Sequence, residues 1–117
     1  MNIRRGEYTL RDWGRTEDWL PERCGYANYA LDYRNKQVGA VAGSINHIYK
    51  IQTKPRGSGH GTEFIRMMMN EAKRQGYKLF TVQDAIGDTN ADKEAMEHIL
   101  IKLGFKKKEG ETWVKDL

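Results

Sequence analysis

One short segment of this sequence has an evident chemical use: Arg56-Gly57-Ser58-Gly59-His60-Gly61, set between an alternating stretch and a helical one. Glycines let a backbone approach an anion closely and adopt conformations closed to other residues. A helix starting there points successive N–H groups at one spot, reinforced by its dipole. Arg56 adds a side-chain cation. Together these features predict an anion site, with a diphosphate as the natural guest. Two better-known phosphate loops are excluded by spacing. No lysine follows these glycines at the Walker offset. The dinucleotide pattern Gly-x-Gly-x-x-Gly fails as well, since its sixth position falls on Thr62 counted from Gly57 and on Phe64 counted from Gly59.

The elements that must hold this loop can be read on either side of it. Residues 26–34 alternate, with Ala27, Tyr29, Leu31 and Tyr33 on one face. Asn35-Lys36 reads as a hairpin turn into a strand over 37–42, Gly43 to Asn46 as a second turn, and His47 to Thr53 as a third strand. After the loop, a helix is predicted over 62–75, with Ile65, Met68, Met69 and Ala72 as its apolar stripe and Gly76 as its stop. The consecutive methionines 67–69 read as core filling. A short strand follows over 78–82. Asp88-Thr89-Asn90 offers capping side chains to a second helix with Ala95, Met96, Ile99, Leu100 and Leu103 on one face. Residues 105–108 and 112–115 form a last hairpin around Glu109-Gly110. The N-terminal segment 4–20 reads as a short strand and a broken helix ended by Pro21. The class is therefore α/β in the mixed α+β sense: a mostly antiparallel mixed sheet flanked by helices.

A chain of 117 residues predicts a single domain. The lone Cys24 excludes an internal disulfide framework and reads as a small apolar residue. No apolar stretch is long enough to span a bilayer, and the N-terminus lacks a signal-peptide pattern, so a cytoplasmic protein is expected. Twenty Lys and Arg against sixteen Asp and Glu leave a net charge of +4, which suits a polyanionic ligand as well as a solvated surface.

Arg56-Gly57-Ser58-Gly59-His60-Gly61 matches the Arg/Gln-x-x-Gly-x-Gly/Ala signature of the GNAT superfamily of acyl-CoA N-acyltransferases, and the resemblance runs on along the chain. Gln37-Val38-Gly39 is similar to that family's third strand, and Gly76-Tyr77-Lys78 to its helix-to-strand junction. Asn90 resembles its loop asparagine, and Lys102-Leu103-Gly104-Phe105 its Lys-Leu-Gly-Phe ending. The resemblance implies a GNAT-like fold with a shortened N-terminal region, and acetyl-CoA as co-substrate with no metal. It places the pyrophosphate on the backbone of Gly57, Ser58, Gly59, His60, Gly61 and Thr62, beside Arg56. The pantetheine arm would pair with the strand edge through Ile51 and Thr53, with a backbone N–H near Ile51 polarising the thioester carbonyl.

The sequence departs from this pattern at its acid and base. Residues 47–53 contain no carboxylate, where many members carry a glutamate as base. His47, which shares strand parity with Tyr49 and Ile51, is the substitute base, and Asp84 is another. Leu100 occupies the position of the usual tyrosine acid. His98 points about 160° away from it around a helix, which leaves Tyr49 as a candidate acid. The expected function is an N-acetyltransferase acting on a primary amine by direct attack, the acceptor being a protein lysine or chain terminus, or a small amine. A homodimer is compatible with this reading, and a membrane partner is not expected. The alternatives are a weak or inactive protein that binds CoA or docks on a partner, and a basic nucleic-acid module using Arg4, Arg5 and Lys106 to Lys108.

Overall fold

The computed structural model describes residues 1–13, 28–55, 57–83, 90–108, 110 and 112–117, with 90–92 by backbone alone. Its described strands form one mixed sheet in the order β1-β2-β3-β4-β5-β6-β8-β7. The strands are β1 (Asn2–Arg5), β2 (Tyr8–Asp12), β3 (Tyr29–Tyr33), β4 (Lys36–Ser44), β5 (His47–Thr53), β6 (Leu79–Gln83), β7 (Lys106–Lys107) and β8 (Thr112–Asp116). Helices α1 (His60–Arg74) and α2 (Asn90–Lys102) flank it. All neighbours pair antiparallel except β5 and β6. The parallel pair is the one joined by a helix, as a crossover requires.

The central meander follows the alternation seen in the sequence, with shifted turns. The β3–β4 turn is Arg34-Asn35, both at positive φ, and β4 continues through Ser44 before a tight turn at Ile45-Asn46. Two positive-φ residues form the turn whose twist matches a hairpin's strands, which is why the turn moved one residue earlier than expected. Helix α1 begins at His60, two residues earlier than its apolar stripe suggested, because the stripe marks contact and not the first turn.

The N-terminal expectation is corrected. Residues 2–12 form an antiparallel hairpin about Gly6 (φ 62°) and extend the sheet by two strands. Ile3 lies opposite Leu10, and Leu10 opposite Leu31, so a short alternation is stabilised by the sheet it joins. The expected broken helix, Cys24 and Asp84 fall outside the described residues.

The core lies between the sheet and α1, with α2 closing one end. Phe64, Ile65, Met67, Met68 and Ala72 of α1 are buried with Leu10, Leu31, Val41, Ile48 and Ile51 of the sheet. Leu100 of α2 joins Phe80, Val82, Phe105 and Trp113. The methionines 67 and 68 are core residues, with Met69 packed beside them. Ala95, expected on the buried face of α2, is exposed.

Candidate functional site

Strand β5 carries the feature that organises the site. Along β4 the partners step from Ala42 to Gly43, while on β5 they step from Lys50 to Ile48. Tyr49 is therefore an extra residue, a bulge, and it is half exposed. On the other side, among the described residues, β5 pairs with β6 only at His47–Thr81 and Ile48–Val82. From the bulge onward no described residue pairs with this edge of β5. Lys54 N–H donates to the Val38 carbonyl at 2.9 Å, so even-numbered residues of this half of β5 face β4. By alternation, Ile51 and Thr53 turn their N–H and C=O groups to the edge that β6 has left.

That open edge leads to the start of α1. A Cβ on Gly61 would lie 4.0 Å from Thr53 Cγ2, so the end of β5 and the first turn of α1 are neighbours. Gly59 is the N-cap at φ 85°, a left-handed conformation that favours glycine, and it supplies no side-chain cap. The Glu63 N–H makes the i→i−4 bond to the Gly59 carbonyl at 3.2 Å. The N–H groups of His60, Gly61 and Thr62 precede it and have no acceptor within the helix. Gly57, Ser58 and Gly59 are exposed, and Ser58 Oγ donates to the Pro55 carbonyl at 2.9 Å. Arg56 lies outside the described residues. Glu63, the acid of the first turn, would oppose an anion here, but Arg66 (3.2 Å) and Arg5 (3.6 Å) pair with it.

The His60 ring does not face the loop's surroundings freely. It is buried under the β1–β2 hairpin, with Nδ1 2.9 Å from the Tyr8 hydroxyl and its ring against Tyr8 and Tyr33. What His60 offers an anion is its backbone. Sequence reasoning missed Tyr8 and Tyr33, because the hairpin that presents Tyr8 was not recognised; the spacing of Ile3, Tyr8 and Leu10 around Gly6 was the available signal.

Burial holds the His60 imidazole below its ordinary value near 6.5. The unfolded chain then takes up more protons than the folded one as pH falls below that value, so stability declines through this window and levels off once the folded ring is protonated too. The melting temperature is expected to drop as pH falls from about 7 through the ordinary histidine value near 6.5, and His60→Gln to flatten that part of the profile. Tyr8→Phe should cost about 1 kcal/mol at neutral pH by removing the hydroxyl bond.

The candidates for proton transfer separate. The bulge breaks the parity that set His47 beside Ile51. Val41–Ile51 and Gly43–Ile48 share one face of the sheet, while Ala42–Lys50 and Ser44–His47 share the other. His47 thus lies on the face opposite the Ile51 side chain. Its Nδ1 is 2.5 Å from Thr81 Oγ1, which fixes the ring. Tyr49 stands out from the bulge into solvent. Leu100 is fully buried in the core, and His98 is exposed. Asn90 is the first residue of α2. Among the described residues no group of three His, Cys, Asp or Glu could hold a metal ion, and no helix is long and apolar enough to cross a membrane.

No family model and no curated protein matches this sequence. Its architecture is similar to that of the Salmonella typhimurium acetyltransferase that modifies the N-terminal serine of 50S ribosomal subunit protein L7/L12. The two superpose with a TM-score of 0.58 at 12% identity, over 97% of this chain and 96% of that one. The chain has the fold of a solved acetyltransferase along nearly its whole length.

Proposed function

We propose that this chain is a single acetyltransferase unit that moves an acetyl group from acetyl-CoA to a primary amine within a ternary complex. One observation carries the reading: the strand edge freed at the bulge leads directly to an uncapped helix N-terminus. A CoA molecule needs that pair of features in that order, an extended hydrogen-bonding edge for its amide arm and a cluster of N–H donors for its pyrophosphate. The N–H of Ile51, which has no acceptor among the described residues, would stabilise the oxyanion as the neutral amine attacks the thioester carbon. The C–S bond then breaks, the thiolate takes a proton, and the new amide nitrogen loses one. We assign the second transfer to His47, with Nδ1–H donating to Thr81 Oγ1 and Nε2 left as the basic nitrogen. Tyr49, half exposed at the bulge, is the hydroxyl we assign to the thiolate, as the buried Leu100 supplies none. The net charge of +4 favours a polyanionic co-substrate in a cytoplasmic setting.

A second reading has one observation in its favour. Strand β5 holds no carboxylate, and the usual acid position is an apolar core residue, which suits a protein that binds CoA without transferring from it. Titration of CoA and acetyl-CoA into the purified protein, followed by a thiol-release assay over a panel of primary amines, tests both. Micromolar binding with amine-dependent thiol release supports transfer. Binding with no release from any amine favours the second reading, and no binding overturns both.

A further inference from the structure

We propose that Tyr8 is a positioning residue for the diphosphate site, which it serves from the β1–β2 hairpin by holding the His60 ring under the first turn of α1. This rests on the acetyl-transfer reading above, since it says how the proposed CoA loop keeps its shape. The donors of that loop are backbone N–H groups, so what they bind depends on where the helix start is held. Helix starts are commonly fixed by a capping side chain, and the Gly59 N-cap has none. From Gly57 to Glu63 the only buried side chain is that of His60. Gly57, Ser58 and Gly59 are exposed, Gly61 has no side chain, and Thr62 and Glu63 are half-buried. The next anchor is Phe64, a full turn on, whose ring would stand 2.7 Å from a Cβ on Gly39. His60 therefore fixes the turn that carries the donors.

The hairpin meets that ring with a rigid seat. Tyr8 and Tyr33 stand directly opposite each other on β2 and β3, two residues from the paired Leu10 and Leu31, so they face α1 with the core. Their rings are 4.8 Å apart, and the His60 ring lies 5.7 Å from Tyr8 and 5.3 Å from Tyr33. The 2.9 Å bond between the Tyr8 hydroxyl and His60 Nδ1 sets the direction of the imidazole, which ring contact alone leaves free to slide. Glu7 secures the seat in turn. Its carboxylate accepts from Tyr33 Oη at 3.1 Å and Arg34 Nε at 3.0 Å, and its carbonyl accepts from the Arg34 N–H at 3.0 Å. Arg5, directly opposite Tyr8, reaches Glu63 at 3.6 Å and so offsets the acid of the same helical turn. Donors that must converge on one group lose affinity when the turn that carries them shifts.

The test is isothermal titration of CoA into the wild-type chain and into Tyr8→Phe, His60→Leu, their double variant, His60→Asn and Gly6→Ala. Tyr8→Phe and His60→Leu are each expected to weaken CoA about fivefold, and the double variant no further, because they remove one bond from its two ends. His60→Asn, whose amide reaches the place of Nδ1, should restore most of the affinity. Gly6→Ala strains the same hairpin at φ 62° but leaves Tyr8 and His60 intact, so its affinity should match the wild type. Unchanged affinity in Tyr8→Phe, additive losses in the double variant, an equal loss in Gly6→Ala, or His60→Asn no tighter than His60→Leu overturns the proposal. Thermal melts show which variants are folded; should a His60 variant fail to fold, Tyr8→Phe against Gly6→Ala decides. The two levels separate as well. No CoA binding by the wild type removes the transferase reading and this role together, whereas undiminished binding in Tyr8→Phe removes only the role of Tyr8.

Discussion

Replacing Gly43 by alanine is expected to lower the melting temperature by on the order of 15 °C. Gly43 has φ 147°, and a Cβ there would stand 2.1 Å from the backbone oxygen of His47. No rotamer change relieves a clash with a backbone atom, so the β4–β5 ladder must shift at the bulge. Conformational strain of about 1–3 kcal/mol adds to the steric cost, for a total of roughly 3 kcal/mol or more. Gly6→Ala is the control. It also sits at positive φ (62°), but a Cβ there meets nothing within 4 Å, so only the conformational cost of about 1 kcal/mol should appear. Equal effects at the two positions, measured by thermal or urea unfolding, would show that the bulge is not sterically pinned.

The second large effect concerns charge at the loop. Ser58→Glu is expected to weaken CoA binding at least tenfold relative to Ser58→Gln, as a carboxylate within several ångströms of a diphosphate costs a few kcal/mol at the effective dielectric of a protein surface. Both substitutions lose the hydrogen bond to the Pro55 carbonyl, so their ratio isolates the charge. Glutamate at Gly59 would confound charge with strain, because that residue holds φ 85°. Raising the salt to about 1 M should shrink the ratio, since the Debye length falls to about 3 Å. Titrations giving the same affinity for both variants would place the diphosphate elsewhere.

Much of this arrangement was legible in the residues. The limits of β5 are those its alternation indicated, and α1 follows the glycine loop with its methionines in the core. These are local signals. A period of two or of 3.6 residues expresses which side chains must leave water, and glycine placement shows where the backbone turns. The order of strands and helices follows from the same signals, while the resemblance to acyl-CoA N-acyltransferases rests on the motif residues themselves, Arg56 to Gly61 first among them.

Two features that decide the chemistry were not local. The β1–β2 hairpin is too short and polar to announce itself, and it is held in the sheet by the pairing of β2 with β3, Leu10 opposite Leu31. The bulge at Tyr49 depends on how β5 registers against β4, and one extra residue moves His47 to the opposite face of the sheet from the Ile51 side chain. The sequence by itself determined the loop, the helix that follows it and the kind of anion they suit. Tertiary structure alone decided which edge is open and which face each side chain of β5 takes, because strand register is set by pairing between distant segments and not by the composition of either one.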